Sequence, residues 1–491
     1  MPQKDSRTVS GKTEMNKSVI KKIRDIVGNK NVLTSREDLV CYAYDASGIE
    51  SLPDIVVFPG SAAEISAIVQ LANRFNFQLF PRGAGSGNVG GAVPLGGGVV
   101  IALSCLDKII EIDVENQYAV VEPGVITGEF QKAVSGKGLY YPPDPASLNF
   151  CTIGGNVATG AGGPRAVKYG VTYNYVLGLE VVLPTGEIIN TGRKTVKGVV
   201  GYDLTSLFIG SEGTLGIITK IILRLIPKPE KKATLLVLFD NLEKCVGAVG
   251  EILKSHTLPS AIEFIDRNTI RAVESRIKMG FPENVEAILL IEVDGDSEIV
   301  ELMKGKLMSV CKKYRAIKID VALKEDEQEE LWKVRRSIAP ALLSLKPSKI
   351  NEDVCVPRNR IPDLVMELER ISAKYAVPVA SFGHAGDGNL HVNFLLDRAN
   401  TDELVRAERA TQELFDVVLK LDGTLSGEHG IGIAKSPFMS MEVGDAGLKV
   451  MKSIKKALDP NNIMNPGKIF EPNWAFFRKS KNLTANSATR T

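Results

Sequence analysis

The chain has 491 residues, of which 44% are hydrophobic and 24% charged, and its formal net charge is +2. This balance is that of a globular chain with more than one domain, and it excludes collagen-like, disordered and small disulfide-stapled proteins. The 60 basic and 58 acidic side chains give no concentration of positive charge, so we expect no nucleic-acid partner. Six dispersed cysteines without a C-x-x-C pair provide no local ligand set for a zinc ribbon or an iron–sulfur cluster.

Both ends of the chain are polar, and we expect flexible termini at residues 1–15 and 479–491. No apolar run approaches the roughly 18–20 residues that a membrane helix needs, and the N-terminus lacks the apolar segment of a signal peptide. The sequence therefore predicts a cytoplasmic protein without a transmembrane segment. It leaves peripheral attachment to a membrane open.

Strand and helix patterns alternate through the first half of the chain. Two β-rich runs, at 54–58 and 77–80, flank an amphipathic pattern that opens with Ser61 and Glu64 as a capping box and ends near Phe75. This arrangement predicts a strand–helix–strand unit. Further short strands are predicted at 99–103, 109–114, 119–121, 176–183 and 217–225. Pro227 and Pro229 then mark the end of a first domain, assigned to 16–228.

The pattern changes after Pro229, where glycine becomes scarce. Strands are predicted at 234–239, 287–293, 316–321 and 377–382, and helices at 242–254, 298–313, 362–375 and 402–420. This alternation favours an α+β domain with an antiparallel sheet over 229–420. The last segment, 421–475, is glycine-rich again around 423–432, and we expect it to return to the functional site.

The glycines are concentrated, since 26 of the 45 lie between Gly83 and Gly216. Residues 85–90 satisfy G-x-G-x-x-G after a strand, but residues 91–98 cannot start the helix that a Rossmann fingerprint opens. A nest of backbone N–H groups for an anion fits this loop better. Two more clusters, at 151–163 and 210–216, lead us to predict three loops that together hold an extended phosphate-bearing ligand. The alternative for each loop is a tight turn of a β-rich domain.

Several segments resemble those of one family. They are P-R-G-A-G-S-G at 81–87, Y-P-P-D-P at 141–145, C-T-I-G-G-N-V-A at 151–158, G-Y-D-L at 201–204 and G-S-E-G-T-L-G-I-I-T at 210–219. They look like the motifs of FAD-linked oxidases of the vanillyl-alcohol-oxidase type. The most similar subgroup comprises the glycolate oxidase FAD subunit, D-lactate dehydrogenase and D-2-hydroxyglutarate dehydrogenase. The resemblance runs in order from about residue 53 to residue 470.

This resemblance implies an α+β protein with a PCMH-type FAD-binding fold of two subdomains, an antiparallel-sheet cap that binds the substrate, and a C-terminal helical segment that returns to the flavin. It also implies which residues approach FAD. The pyrophosphate is expected at Arg82, Gly83, Ala84, Gly85, Ser86, Gly87 and Asn88, the flavin side at Pro143, Asp144, Thr152, Gly154, Gly155 and Asn156, and the adenosine at Glu212, Gly213, Gly216, Ile217 and Ile218. Asn465 belongs to a late motif that returns to the cofactor.

The subgroup holds FAD non-covalently, and we expect the same of this chain. Some members of the superfamily attach flavin through histidine or cysteine. No histidine precedes His256, so a histidyl link in the glycine loops is excluded. Cys151 is the one thiol near a flavin motif and is the alternative to non-covalent binding.

The chain has four histidines, and three of them fall in two short glycine-rich motifs. The glycines at 386 and 388 allow a tight turn that brings His384 and His391 together. With Glu428, these two imidazoles suit a divalent transition metal with open positions, such as Zn, Mn or Fe. The subgroup resemblance implies the same three ligands. The alternative for any one of these histidines is a purely structural role.

His429 is the expected catalytic base. Consecutive residues of an extended segment point to opposite sides, so Glu428 can ligate a metal while His429 faces a substrate. Imidazole accepts protons near neutral pH, and the resemblance implies this role for His429. His256 lies alone in a polar stretch and is expected at the surface.

These parts predict an enzyme that oxidises a small 2-hydroxy acid to the 2-keto acid, and the resemblance implies the D configuration of that substrate. His429 takes the proton of the hydroxyl group, which the metal acidifies, while the α-hydrogen leaves as a hydride to flavin N5. By resemblance Arg335 clamps the substrate carboxylate, and Asn393 is a further substrate contact.

Two positions depart from the hydroxyglutarate enzymes. Ala339 stands where the resemblance implies Thr, and Asn351 stands where it implies Lys, although Lys349 is near. A second, distal carboxylate therefore lacks its expected partners. This difference favours D-lactate, and next glycolate, over D-2-hydroxyglutarate.

The dispersed cysteines leave the route of electrons from FAD outside this chain. The expected acceptor is an electron-transfer flavoprotein, an iron–sulfur subunit or a quinone, and we expect a homo-oligomer or a subunit of a complex. The first alternative is the catalytic FAD subunit of a multi-subunit glycolate oxidase or of a lactate dehydrogenase linked to an electron-transfer flavoprotein. An alternative of another class is a flavin- and metal-binding protein without turnover, and a third is a reaction of the alkyl-glycerone-phosphate-synthase kind.

Overall fold

A computed structural model describes residues 15–255 and 257–470 of the protein. The termini predicted to be flexible lie outside these ranges, apart from Met15, and so does His256. The predicted domain limits at 16–228, 229–420 and 421–475 stay predictions.

The chain forms sheets and helices in alternation. The strands are β1 (Val32–Leu33), β2 (Ile55–Val57), β3 (Leu79–Arg82), β4 (Val99–Ala102), β5 (Ile109–Asp113), β6 (Tyr118–Val121), β7 (Leu139–Tyr140), β8 (Val176–Val182), β9 (Ile188–Gly192), β10 (Ile217–Arg224), β11 (Ile226–Pro227), β12 (Lys231–Phe239), β13 (Ala261–Asp266), β14 (Ala287–Gly295), β15 (Lys318–Ala322), β16 (Ser348–Cys355), β17 (Val379–His384) and β18 (Asn389–Leu396). The helices are α1 (Lys17–Val27), α2 (Arg36–Val40), α3 (Ala62–Phe75), α4 (Thr127–Ser135), α5 (Ile153–Thr159), α6 (Ala166–Tyr169), α7 (Leu204–Phe208), α8 (Leu242–Lys254), α9 (Arg267–Ile277), α10 (Ser297–Lys313), α11 (Glu325–Ala341), α12 (Ile361–Tyr375), α13 (Thr401–Lys420) and α14 (Met439–Leu458), the last with a break at Gly444.

The predicted strand–helix–strand unit is confirmed. Strands β2 and β3 both pair in parallel with β4, and α3 connects them. The side chain of Ser61 accepts the N–H of Glu64, as an N-cap does. The carboxylate of Glu64, however, accepts the N–H of Gly60 at 2.8 Å. The predicted capping box is therefore only half formed, because its second bond goes to the residue before the cap.

A second sheet in this part has five antiparallel strands in the order β5-β6-β10-β8-β9. Its buried face packs with α4, α5 and α7 around Phe130, Val157 and Phe208. From Lys220 to Arg224 of β10, every second side chain is more exposed. The buried side chains between them face this core.

The region after Pro229 is built on a seven-stranded antiparallel sheet in the order β15-β12-β14-β13-β17-β18-β16. Helices α8, α10, α12 and α13 cover one face, and α9 and α11 cover the other. Strands β13 and β14 are buried along nearly their whole length, as expected for strands covered on both sides. The prediction of an α+β region with an antiparallel sheet is confirmed.

The last segment returns to the first part of the molecule, as predicted. Leu79 of β3 donates its N–H to the carbonyl of Ile463 at 2.8 Å and accepts the N–H of Asn465 at 2.8 Å. Ile433 donates to the carbonyl of Val89 at 2.8 Å. The glycine-rich loop that follows β3 is therefore held between the first and last segments of the chain.

Candidate active site

The loop after β3 presents its backbone N–H groups without partners. Across residues 83–88, no backbone N–H donates a hydrogen bond to another part of the described chain. Gly85 has φ of 68°, which an L side chain rarely adopts, and a Cβ there would lie 2.1 Å from Arg82 Nη2. A Cβ at Gly83 would lie 2.4 Å from Thr152 Oγ1. Unpaired N–H groups on a left-handed turn form a nest for an anion, and this loop fits the pyrophosphate of FAD.

Arg82 lies beneath this loop. Its side chain is buried, Nη1 has no hydrogen-bond partner, and its guanidinium carbon lies 5.6 Å from the centre of the Tyr42 ring. Burial lowers the pKa of Arg82, while Asp45 opposes that shift. A buried cation with an unpaired donor beside unpaired N–H groups suits a negatively charged ligand.

The second glycine cluster is different from the loop we predicted. Residues from Ile153 to Thr159 form helix α5, and the side chain of Thr152 caps it by accepting the N–H of Gly155 at 3.2 Å. Gly154 allows close packing, because a Cβ there would lie 2.4 Å from Pro123 Cβ. Asn156 donates to Thr127 Oγ1 at 2.8 Å. The small residues serve helix packing at this position, so the interpretation as an open loop is wrong.

Cys151 immediately precedes this helix. The thiol is buried, and its Sγ lies 3.3 Å from Thr127 Oγ1. Non-covalent FAD binding, with Cys151 as the alternative, stays a prediction.

Arg165 joins Asp144, in the first part of the molecule, to the sheet of the second. Arg165 Nη1 donates to Asp144, and Arg165 Nε donates to Glu292 of β14 at 2.9 Å. Trp332 Nε1 donates to the same Glu292 carboxylate at 3.0 Å. Burial raises the pKa of Asp144 to about 6, and Arg165 opposes the shift. The neighbouring Pro143 uses its carbonyl to accept Gln131 Nε2 at 2.9 Å.

Glu212 in the third glycine cluster anchors the segment that carries Glu428 and His429. Its carboxylate accepts the N–H of Ile431 at 2.7 Å and of Gly432 at 2.8 Å. Burial raises the pKa of Glu212 to about 7, although these two N–H groups oppose the shift.

The side chain of Asn465 ties the same loops together. Its Nδ2 donates to the carbonyls of Gly91 at 2.9 Å and Glu212 at 2.6 Å. Ile217 and Ile218 open strand β10, paired with Val182 and Val181 of β8. The side chains of Glu212 and Asn465 thus hold protein segments, and the predicted contacts of this cluster with adenosine stay predictions.

The predicted turn between His384 and His391 is confirmed. His384 ends β17 and His391 lies in β18, with Gly388 at φ 99° in the turn between them. The two imidazole centres are 5.2 Å apart. His384 Nε2 and His391 Nε2 each lie 3.5 Å from the same atom, Glu428 Oε1. The structure therefore brings the three predicted metal ligands together.

These three groups fit a divalent metal. His384 Nε2 is buried and has no hydrogen-bond partner. Its other nitrogen, Nδ1, is 2.5 Å from the carboxylate of Glu263, which fixes the ring with Nε2 turned to the cluster. Burial, together with nearby His384 and His429, holds the pKa of His391 well below its usual range, so that imidazole is neutral. Burial lowers the pKa of His384, but Glu263 and Glu428 outweigh it and raise this pKa well above its usual range, so a metal would have to displace a proton from His384. Two imidazoles and one carboxylate that leave open positions are a ligand set for Zn, Mn or Fe.

Glu263 is a functional residue that the sequence analysis missed. It lies in β13, is fully buried, and binds both His384 Nδ1 and Arg335 Nε. Burial opposes ionisation, but His384 and Arg335 outweigh it and lower the pKa of Glu263 to about 2. One carboxylate thus orients a predicted metal ligand and a predicted substrate clamp.

Asp353 is a second missed residue, buried in β16 opposite His391. Its Oδ2 accepts the N–H groups of Glu428 and His429, both at 2.8 Å, and its Oδ1 accepts Asn389 Nδ2 at 2.7 Å. Burial opposes ionisation, but His429, Lys435, His391 and the N–H of Glu428 hold the pKa of Asp353 well below its usual range. Its ionised carboxylate fixes the segment that carries Glu428 and His429.

His429 does not lie on an extended segment, contrary to our expectation. Residues 427–429 form a bend, and the His429 ring stacks on His391 with centres 5.2 Å apart and planes 13° apart. Glu428 and His429 therefore both meet His391 instead of facing opposite sides. His429 Nδ1 lies 3.9 Å from Asp353 Oδ2, and Nε2 lies 3.4 Å from Asn88 Nδ2 in the glycine loop. The amide donor on that side favours Nε2 as the acceptor nitrogen.

A cavity of about 2280 Å³ joins these groups. Its lining includes Asn88, Arg335, His384, His391, Glu428 and His429. Ala339 and Lys349 also line it, and burial lowers the pKa of Lys349 to about 8. The guanidinium of Arg335 is held through Nε by Glu263 and lies 4.7 Å from the centre of the Phe382 ring.

Asn393 lies outside the lining of this cavity. It is fully buried, and its Nδ2 donates to the carbonyls of Ala380 at 3.3 Å and His391 at 3.5 Å. This placement favours a structural role for Asn393, and its predicted contact with the substrate is not supported by the geometry.

Comparison with known proteins agrees with the fold. The chain matches the family described as FAD binding domain over residues 53–192, and FAD linked oxidases, C-terminal domain, over residues 228–469. The structure of p-cresol methylhydroxylase with substrate bound superposes with a TM-score of 0.76 at 21% identity, covering 93% of this chain and 97% of the other. The class is that of an FAD-linked oxidoreductase with a PCMH-type FAD-binding fold.

Two relatives are similar over nearly their whole length. Glycolate oxidase subunit GlcD of Bacillus subtilis is 45% identical over 455 residues, which cover 92% of this chain and 97% of the relative. D-lactate dehydrogenase of Anaerostipes hadrus is 36% identical over 461 residues, which cover 92% of this chain and 97% of the relative. The chain belongs to the FAD-linked oxidase family of glycolate oxidase and D-lactate dehydrogenase type.

Proposed function

We propose that this chain is an FAD- and divalent-metal-dependent dehydrogenase that oxidises a small D-2-hydroxy acid, D-lactate first and glycolate next, to the 2-keto acid. One observation carries the proposal. His384 Nε2 and His391 Nε2 converge on Glu428 Oε1 at 3.5 Å each, and His429 beside them faces the glycine loop through Asn88. A metal-ligand set and a base thus adjoin the loop that fits the cofactor.

His384, His391 and Glu428 would hold the metal, and residues 83–88 would receive the pyrophosphate of FAD. When bound, the metal supplies Lewis-acid chemistry toward a hydroxyl group, and FAD supplies a two-electron acceptor. The pairing of His384 with Glu263 supports this role, because an outer carboxylate fixes the tautomer of a metal-ligating imidazole.

His429 is the proposed base, and its Nε2 receives the hydroxyl proton of the substrate. Asp353 supports this role, since its carboxylate holds the backbone of His429 and lies on the Nδ1 side of the ring. A negative charge on that side stabilises the imidazolium that forms. Stacking on His391 restricts rotation of the ring.

Arg335 is the proposed clamp for the substrate carboxylate. It lines the cavity, and Glu263 orients its guanidinium through Nε alone, which leaves the two terminal nitrogens for bidentate contact with a carboxylate. The small Ala339 and the neutral Asn351 carry no charge toward a second carboxylate, which supports a monocarboxylate substrate, although Lys349 lies in the same lining.

A second candidate is the catalytic FAD subunit of a larger glycolate oxidase, or of a lactate dehydrogenase linked to an electron-transfer flavoprotein. The name of the Bacillus subtilis relative, which is a subunit, favours this candidate. The acceptor would then be an iron–sulfur or flavoprotein chain, with a quinone as the other possibility. Homo-oligomer formation and a cytoplasmic location also stay predictions.

Anaerobic mixing with single substrates tests the proposal. The holoenzyme is mixed with D-lactate, L-lactate, glycolate, D-malate or D-2-hydroxyglutarate while flavin absorbance is followed. We expect D-lactate to bleach the flavin fastest and glycolate next, with little effect of L-lactate and the dicarboxylates. Failure of every 2-hydroxy acid to reduce a flavin that dithionite does reduce would contradict the proposed reaction.

A further inference from the structure

The loop of residues 425–435, which presents the proposed metal ligand Glu428, is closed by a lysine at its end. Lys435 is 3% exposed, and its Nζ donates to the carbonyl of Leu425 at 2.7 Å, at the other end of the loop. The same Nζ donates to the carbonyl of Asp353 in β16 at 2.8 Å. One buried ammonium group thus joins the two ends of the loop to each other and to the sheet. Lysine is rarely buried unless its charge is paired or hydrogen-bonded in this way.

The loop packs along the open edge of β16, which is the last strand of its sheet. Cys355 exchanges backbone hydrogen bonds with Thr424 at 3.1 and 2.8 Å, so its carbonyl and that of Asp353, two residues earlier, point out of the sheet. Beyond Thr424 the chain bends away, and the N–H of Gly427 reaches the Asp353 carbonyl only at 3.4 Å. Lys435 Nζ therefore takes the place of a strand N–H at this carbonyl.

The same ammonium group brings positive charge to the acids around His391. Lys435 Nζ lies 3.9 Å from Asp353 Oδ2. The carboxylates of Asp353 and Glu428 flank the imidazole of His391, at 3.8 Å from Nδ1 and 3.5 Å from Nε2. Two carboxylates so placed repel one another before a metal binds. Lys435 offsets part of this repulsion with a charge that belongs to the chain.

We propose that Lys435 is a positioning residue that keeps this loop in its metal-binding conformation before a metal is bound. A ligand that is already held in place loses less conformational freedom on binding, so the metal binds more tightly. Without the ammonium donor, the start of the loop is released from β16, and Glu428 Oε1 no longer stays 3.5 Å from the two imidazole nitrogens. The inference rests on the proposed metal site, but its first test needs no metal.

Hydrogen exchange in the metal-free protein tests the conformation of the loop directly. The full-length, flavin-loaded protein is treated with a chelator, and peptides that cover residues 425–435 are followed by mass spectrometry. We expect slow exchange in the wild type, because four backbone N–H groups of the loop donate to buried carboxylates. In Lys435→Met, whose side chain is long but has no donor, these peptides should exchange at least about tenfold faster.

Metal binding provides the second readout. Competition with a chelator should give a metal affinity about tenfold lower in Lys435→Met than in the wild type. Co²⁺ bound at saturation should show altered d–d absorption bands in this variant, because these bands report the ligand geometry. Lys435→Arg keeps the charge and N–H donors, and we expect it to restore part of the affinity and of the protection from exchange.

Lys455→Met is the matched control for loss of a buried ammonium group. Lys455 lies in α14, and its Nζ donates to the carbonyls of Thr214 and Met464, both at 2.8 Å. This variant should lower the melting temperature without changing exchange in residues 425–435 or the affinity for metal.

Ser426→Ala replaces Lys435→Met if that variant does not fold. Ser426 Oγ donates to the carbonyl of Gly430 at 2.8 Å within the loop, so its loss should speed exchange to a smaller extent. Rapid exchange in the metal-free wild type that slows only when metal is added overturns the inference. So does a Lys435→Met variant that equals Lys455→Met in loop exchange and metal affinity. A wild type that binds no metal contradicts the proposed metal site, whereas the exchange comparison still decides the role of Lys435.

Discussion

The glycine loop at 83–88 faces the cluster of His384, His391, Glu428 and His429, but the two regions offer different groups to a ligand. The loop offers backbone N–H groups. At Gly83 and Gly85 the absence of a side chain is what matters, because an added Cβ would collide with a neighbouring side chain. The cluster offers side-chain atoms whose distances depend on buried carboxylates, Glu263 and Asp353. The comparison teaches that cofactor retention and chemistry should respond to different substitutions. Changes in the cluster should stop the reaction with flavin bound, and changes in the loop should release the flavin.

The largest expected effect is at the proposed metal ligands. His384→Ala or His391→Ala should remove bound metal and slow flavin reduction by more than the roughly 10–100-fold typical of changes in outer partners. FAD content should remain, because neither side chain contacts the glycine loop. Metal analysis and the absorbance ratio of flavin to protein measure both quantities on one sample. His256→Ala, a histidine outside both motifs, is the control, and full metal content in His384→Ala would contradict the assignment.

Asp353→Asn should give the next largest effect. An amide offers one acceptor oxygen where the carboxylate accepts the N–H groups of both Glu428 and His429. We expect metal affinity to fall about 10–100-fold with FAD retained, measured by competition with a chelator. Asp25→Asn, an exposed acid of α1 that does not line the cavity, is the control. Unchanged metal affinity together with unchanged flavin reduction would show that Asp353 does not position the site.

Gly85→Ala tests the loop side of the comparison. The added Cβ would displace the guanidinium of Arg82 from beneath the loop and would strain a backbone with φ of 68°. We expect the affinity for FAD to fall at least about tenfold. The loss would be seen as loss of yellow colour on dilution, and the metal content should be unchanged. Gly250→Ala, whose Cβ would have no neighbour within 4 Å, is the control. Normal FAD retention in Gly85→Ala would contradict the assignment of this loop to the cofactor site.

The smallest expected effect is a pH dependence at Glu212. Because burial raises its pKa from 4.5 to about 7, the folded protein keeps a proton that the unfolded chain loses between these values. Stability contributed by this group therefore falls as pH rises through that window, by an amount on the order of 3 kcal/mol. Glu212→Gln should remove this part of the slope, so its melting temperature should gain on the wild type between about pH 5 and pH 8. If the melting temperatures of Glu212→Gln and the wild type change in parallel with pH, the raised pKa of Glu212 is contradicted.

The sequence predicted best what local patterns encode. The strand–helix–strand unit, the individual strands of the antiparallel sheet and the turn that joins His384 to His391 follow from residues close together in the chain. The two missed carboxylates depend on distant pairing, since Glu263 is 121 positions from His384 and Asp353 is 76 from His429. A single sequence does not reveal which strands are neighbours, so buried acids in them resemble ordinary polar residues.

The incorrect expectations have local physical reasons. Helix α5 begins in a glycine-rich stretch because Thr152 caps it. Glycine is needed at position 154 because Pro123 leaves no space for a larger side chain. The bend at Glu428 and His429 forms because one carboxylate, Asp353, accepts both of their N–H groups. Burial of Asn393 was also hidden, because its position in β18 predicts a face but not what covers it.

The most direct test of the account is flavin reduction in His429→Ala. The variant holoprotein and the wild type are mixed anaerobically with D-lactate in a stopped-flow instrument, and dithionite is added afterwards to reduce any remaining flavin. We expect the variant to keep its yellow flavin and its metal, to be reduced by dithionite, and to react with D-lactate about 10²–10⁴-fold more slowly than the wild type. Reduction by D-lactate at the wild-type rate would contradict the claim that His429 is the base of this site.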